Sequence, residues 1–188
     1  MLSPLIFTAV LALGPALAQS AVIEPRISGV KITSVNPQGS GCPRGSVSYA
    51  ISADAATAQL RFDDFTSTST NTKTCQADIT FTYPTGYRFA VQSAVYRVGP
   101  EIPSGTSLRT SSTYGFGSAA AALSTAFTLN GPRAGSVNVN GGDVSGGQTW
   151  SSCGGTSATL RVSTTHKLTG AGEVALETHQ INLAWQTC

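Results

Sequence analysis

The chain reads as an all-β protein: an antiparallel β-sandwich with Greek-key or jelly-roll-like connections, fastened by two disulfides. Three observations predict this. Ser and Thr account for 47 of 188 residues and Gly for 20, while helix formers such as Glu, Lys and Met are scarce. Long runs alternate polar and apolar residues, the period-two pattern of strands with one buried face. Gly- and Pro-rich breaks at 36–45, 99–105, 130–135 and 141–147 cut those runs into short pieces, as sandwiches require.

Residues 1–18 read as a secretory signal peptide. The apolar stretch from Leu5 to Leu13 is too short to span a bilayer, and Gly14-Pro15 break a helix behind it. Ala16-Leu17-Ala18 has the small-x-small pattern of a signal-peptidase site, so the mature chain is expected to begin at Gln19. Residues 19–188 then form a single domain, large enough to bury about 70% of its unfolded surface. The expected location is extracellular, with the cell wall as one place it could reside. Hydrophobic residues make up 40%, charged residues 11%, and the net charge is +2, a balance opposite to that of a disordered chain. The eleven Lys and Arg form no basic stripe, so nucleic acid is not an expected partner. Nor is a membrane, and a monomer is expected.

In chain order, strands are expected at 27–35, 46–53 and 58–65. A hairpin follows. Cys75, Ala77, Ile79, Phe81 and Tyr83 alternate with polar residues, Pro84-Thr85-Gly86 supplies a turn, and Tyr87, Phe89 and Val91 return on the same face. Pairing Tyr83 with Tyr87 sets Phe81 opposite Phe89 and Ile79 opposite Val91, leaving one face apolar throughout. Further strands are expected at 107–116 and around Phe127, while 118–129, with its alanine run, fits a short helix or a strand. The last hairpin runs from Ala158 to Leu168 and back from Ala175 to Trp185 across Gly170-Ala171-Gly172-Glu173. Closing that loop symmetrically pairs Leu160 with Leu183, Val162 with Ile181 and Ala158 with Trp185.

Four cysteines follow the leader: Cys42, Cys75, Cys153 and Cys188. An even count in an exported chain reads as two disulfides with three possible connectivities. The last hairpin brings the flanks of Cys153 and Cys188 together at its open end, within the roughly 7 Å that a disulfide allows between Cα atoms. This predicts Cys153–Cys188 and leaves Cys42–Cys75.

An ordered set of motifs carries a family resemblance: Gly39-Ser40-Gly41-Cys42-Pro43-x-Gly45-Ser46-Val47-Ser48, Ser52-Ala53-Asp54, Phe62-Asp63-x-Phe65, Cys75-Gln76, Tyr83-Pro84-x-Gly86-Tyr87, Trp150-Ser151-x-Cys153-Gly154 and Leu183-x-Trp185-Gln186-x-Cys188. With these the chain resembles a family of small secreted proteins, found largely in fungi, called domain of unknown function 4360. The resemblance implies secretion, four matching cysteines and a β-sandwich. It implies no activity. Thr74, before Cys75, departs from the basic–Asn pair usual in similar members.

Candidate sites are few. The expected last hairpin sets His166 opposite Glu177, with His179 on the same face, an assembly of plausible metal ligands or acid–base groups. A hydrogen-bonded polar cluster capping the core is the commoner use of such residues. Tyr83 and Tyr87, beside a turn, are the aromatics best placed for exposure and for stacking on a sugar. Asp63 and Asp64, as neighbours on a strand, would face opposite ways and cannot share one glycosidic bond. Thr66, Thr68, Thr70, Thr72 and Thr74 would line one face if extended, as in an ice- or sugar-binding ladder; a mobile, O-glycosylated connection is preferred. No H-E-x-x-H, Walker A or dinucleotide fingerprint occurs, and no cofactor or metal is expected.

Three function classes remain. The preferred one is a secreted, non-catalytic binding protein whose partner is an extracellular protein, such as a host protein or a protease, or a cell-wall polysaccharide. The alternatives are an extracellular hydrolase or metal-dependent enzyme using His166, Glu177 and His179, and a structural cell-surface component.

Overall fold

A computed structural model describes residues 27–69, 71–99, 101–117 and 123–188. The expected signal peptide lies outside the described residues, as does the 118–122 part of the alanine-rich stretch. Strands dominate and no helix occurs among the described residues. A five-stranded sheet and a six-stranded sheet face each other. In spatial order, sheet I holds β1 (Lys31–Gln38), β5 (Thr72–Thr82), β12 (Ser157–Thr169), β8 (Ser107–Phe116) and β9 (Leu123–Asn130). Sheet II holds β11 (Val137–Asp143), β6 (Tyr87–Gly99), β13 (Glu173–Thr187), β3 (Thr57–Phe62) and β2 (Val47–Ile51). The short β4 (Thr66–Thr68) also pairs with β13, and β7 (Glu101–Ile102) pairs with β10 (Arg133–Ala134) in a separate ribbon. All of these pairings are antiparallel. The protein is an antiparallel β-sandwich, and β12 and β13, last in the chain, occupy the middle of sheets I and II.

Alternation decides what enters the core. Along β12, Leu160, Val162, Thr164, His166 and Leu168 are buried while Arg161 and Lys167 face out. Along β5, Cys75, Ala77, Ile79 and Phe81 are buried between half-buried Gln76, Asp78 and Thr80. Each fully buried Leu, Ile or Phe contributes about 1.5–3 kcal/mol by leaving water. One end of the core is aromatic: Phe89 touches the rings of Phe81, Tyr83, Phe116 and Trp185 at centroid distances of 4.9, 5.7, 5.2 and 5.0 Å.

Both hairpins expected from the sequence are corrected. β5 pairs with β1 and β12, whereas β6 pairs with β11 and β13, so Pro84-Thr85-Gly86 carries the chain from sheet I to sheet II. Phe81 and Phe89 do meet, across the core rather than along a ladder. Likewise Leu160 pairs with Ile79 and Phe116 in sheet I, while Leu183 pairs with Val91 in sheet II. The physical reason is that alternation identifies the inward face of a strand but not the source of its hydrogen-bond partners. A short link suits either a hairpin or an arch between sheets. Long strands with polar outer faces make fuller use of their edges by pairing with two neighbours each. The hairpins between consecutive strands are β2–β3 and β8–β9. Gly141 and Gly142 mark a break in the sequence, yet β11 forms at 137–143 with a register shift between Asn140 and Gly142.

Cys42 is bonded to Cys75 and Cys153 to Cys188, with Cα separations of 5.3 and 5.7 Å. The first bridge ties the loop after β1 to β5. The second ties the loop before β12 to the C-terminus, where the Cys188 amide donates to the Gly86 carbonyl at 2.7 Å. The arch brings Cys153 and Cys188 together as the expected hairpin would have done, because the two strands end at the same end of the sandwich in either arrangement.

Candidate functional site

The His/Glu assembly expected from the sequence does not form. Strict alternation from Ala175 to Trp185 would put Glu177 and His179 on one face. The ladder of β13 with β6 instead shifts between Leu176 and Thr178, so Glu177 is the extra residue of a β-bulge. One inserted residue flips the phase: Val174 and Leu176 point inward before it, His179, Ile181 and Leu183 after it. Glu177 lands on the outer face, 2.6 Å from Arg97 Nε and 2.7 Å from the Ser136 hydroxyl, which donates to it. That hydroxyl and the guanidinium hold the Glu177 carboxyl below its ordinary value, against a partly opposing burial.

His166 and His179 both lie fully buried in the sandwich. His166 Nε2 donates to the Val174 carbonyl at 3.2 Å, which leaves Nδ1 to accept from the Thr110 hydroxyl at 2.8 Å. The ring therefore bridges the two sheets. His179 stacks on Tyr96 with centroids 4.4 Å apart, and its Nε2 lies 2.9 Å from the Tyr114 hydroxyl. Among the described residues its Nδ1 has no hydrogen-bond partner. A buried N–H without a partner is rarer than a bare acceptor, so the arrangement favours the proton on Nε2. Tyr96, Tyr114 and Thr125 complete a hydroxyl triangle with sides of 2.6, 2.9 and 3.2 Å. Burial pushes His166 down to about 4 and His179 down to about 3, and raises Tyr114 well above its ordinary value. Two neutral imidazoles, committed to interior contacts and cut off from solvent, cannot exchange protons with a substrate. Among the described residues, no group of three or more His, Cys, Asp or Glu is placed to hold a metal ion.

The aromatic pair is also separated. Tyr83 is buried, edge-on to Phe89 and Trp185, with its hydroxyl 3.5 Å from Ser151 Oγ. It is a core residue, not an exposed platform. Tyr87 is half-buried and pairs with Thr187, not with Tyr83. The threonine row is broken as well: Thr66 and Thr68 lie on β4 in sheet II, Thr72 and Thr74 on β5 in sheet I, and Thr70 lies outside the described residues. The expected mobile connection is thus two strands flanking a turn, in which the Thr68 amide donates to Asn71 Oδ1 at 3.1 Å. Asp63 and Asp64 are exposed between β3 and β4.

What the sequence did not single out is the outer face of sheet II. The register lines up Asn138, Arg97, Thr178, Arg61 and Ser48 across five strands, about 19 Å at the usual strand spacing. The next row is Asn140, Val95, Gln180, Gln59 and Ala50. Between the rows lies an open groove of about 470 Å³, lined by Gln59, Arg61, Arg97, Asn138, Thr178 and Gln180. Arg97 is paired with Glu177, but Arg61 has no ion-pair partner among the described residues. Each of these side chains looks like ordinary surface in the sequence; only the bulge at Glu177 puts Thr178 and Gln180 beside Arg61 and Gln59. Two other open grooves lie at the edge beside β1 and β2 and around Gln76 and Ser163 on sheet I.

With this geometry in view, the chain can be compared with known proteins. A protein of Arthroderma benhamiae described as an uncharacterized secreted protein is 36% identical over 110 residues, which is 55% of this chain and 45% of that relative. The match spans less than half of that relative's length. Among solved structures, TmCBM61 in complex with beta-1,4-galactotriose aligns with 84% of this chain and 91% of its own at 6% identity, with a TM-score of 0.31. A likeness that slight bears on neither ligand nor site. The profile of one family matches residues 28–188, nearly all of the described chain: the protein belongs to the family described as Domain of unknown function (DUF4360).

Proposed function

We propose that this is a secreted, non-catalytic binding protein that uses the outer face of sheet II to hold an extracellular polysaccharide. The observation that carries this reading is the groove itself. It gathers amide, hydroxyl and guanidinium groups on a rigid sheet, and Gln59, Arg61, Asn138 and Thr178 have no side-chain hydrogen bond among the described contacts. Unspent donors and acceptors on strands, rather than on loops, suit recognition of a hydroxyl-bearing polymer with little ordering cost. Secretion is supported by the two disulfides and by the description of the related fungal protein. Against an enzyme stand the burial of both imidazoles and the outward turn of Glu177.

A second reading has an observation of its own. The outer face of sheet I presents Thr80, Thr82, Thr159, Ser163, Thr165, Ser111 and Thr113 on adjoining strands, a hydroxyl-covered surface compatible with a structural place in a cell wall. A pull-down of the mature protein with insoluble glucan, chitin, pectic polysaccharide and secreted host proteins separates the possibilities. Retention by a polysaccharide supports the first reading. Capture only by host proteins would replace it, and retention by nothing would leave the structural role.

A further inference from the structure

Two guanidinium groups line the groove on sheet II, from Arg61 and Arg97. Glu177 is bonded to Arg97 at 2.6 Å. Arg61 makes no ion pair among the described residues, although exposed Asp63 stands two residues further along the chain. Arg61 stands in register with Thr178 on one side and Ser48 on the other, with Gln59 and Gln180 in the next row. Guanidinium is the side chain whose fork fits a carboxylate in two parallel hydrogen bonds.

Equally informative is what the groove lacks. Neutral polysaccharides are held well by aromatic faces, yet the one aromatic residue at this groove, Tyr96, is fully buried with its ring stacked on His179. Among the described residues the large hydrophobic side chain that is exposed is Tyr49, on the edge strand β2 and in the inward phase opposite Leu60. Protein partners are usually anchored by aromatic and arginine side chains that become fully desolvated; this lining offers no exposed aromatic anchor, and its arginines stand among open amides and hydroxyls. Hydrogen bonds and the guanidinium of Arg61, which makes no ion pair among the described residues, remain as the means of attraction.

Resting on the polysaccharide reading above, we infer that the groove binds an acidic polysaccharide, one built of uronic acid residues, with a carboxylate on Arg61 and hydroxyls on Gln59, Thr178, Gln180 and Asn138. Arg61 sets the charge preference; the amides set the fit to the hydroxyls. Binding falls as salt is added, since the pair is solvent-exposed.

The test measures binding of the mature protein to polygalacturonate and to a neutral β-glucan of similar length, by calorimetry at low and moderate salt. Arg61→Gln is compared with Arg109→Gln, an exposed arginine on the outer face of sheet I, and thermal melting verifies that both variants fold. The expected result is binding to polygalacturonate in preference to the glucan. Arg61→Gln should weaken it by roughly tenfold to a hundredfold, the span of a charge-assisted hydrogen bond, and Arg109→Gln should leave it intact. Equal or stronger binding to the neutral glucan, or polygalacturonate binding indifferent to Arg61→Gln, would overturn the inference while leaving polysaccharide binding standing. Equal losses in both variants would also overturn it, by reducing the attraction to net charge. No binding to either polymer by folded protein would overturn the inference, and the polysaccharide reading would then stand or fall on the pull-down.

Discussion

Acidification should destabilise this sandwich through two residues it keeps hidden. Folded, His166 titrates near 4 and His179 near 3, both lowered by burial from 6.5. Unfolded, both return to about 6.5. Their folded values are depressed, so the unfolded chain binds more protons in the window between. Stability is complete above about pH 6.5 and is lost as the pH falls below it, until the folded values are reached. Going from about pH 7 to about pH 5 costs roughly 2 kcal/mol per imidazole, or about 4 kcal/mol together. Carboxylates contribute little in that range: Glu177, held below its ordinary 4.5, titrates lower still. The groups facing the imidazoles are Thr110, Phe65 and the Val174 carbonyl for His166, and Tyr96 and Tyr114 for His179, none of them a carboxylate. For a domain of this size the loss corresponds to a fall in Tm of roughly 8–16 °C. The assay is thermal and urea unfolding of the oxidised protein across that pH range, on wild type and on the His166→Gln and His179→Gln variants. Each variant should be less stable near neutrality and should lose about half of the pH dependence. A wild-type midpoint that stays level from pH 7 to pH 5, or variants with the full slope, would refute the assignment of both rings as buried and neutral.

Reduction tests the two staples. The bridges close loops of 33 and 35 residues in sequence separation, each worth about 2–4 kcal/mol; an unchanged Tm under reductant would contradict a structural role for them. Phe89→Ala removes the ring at the centre of the aromatic end, fully buried among four other rings. It should cost about 3–5 kcal/mol in urea unfolding, and a loss below 1 kcal/mol would show the core to be packed differently. Glu177→Gln cuts an ion pair whose side chains are 47% and 33% exposed. A change under about 1 kcal/mol is expected, whereas a loss of several would return Glu177 to the interior beside the imidazoles.

The sequence by itself determined the class of the fold and its inward faces. Alternation from Cys75 to Phe81 and from Leu160 to Leu168 names the core residues of β5 and β12, because a pleated strand has only two sides. The even count of cysteines points to two bridges. Tertiary structure decided everything that depends on who pairs with whom. Phe81 and Phe89 belong on the same side under either a hairpin or an arch, and only the competing edges of β1, β12, β11 and β13 settle that they face each other across the core. The candidate site moved for a sharper reason. A single inserted residue at Glu177 costs the ladder little, yet it reverses every side chain beyond it. It sends Glu177 out to Arg97, turns His179 in to Tyr114, and lays Thr178 and Gln180 beside Arg61. The amino-acid pattern of β13 is compatible with an unbroken strand, so the bulge becomes visible only when its neighbours fix the register.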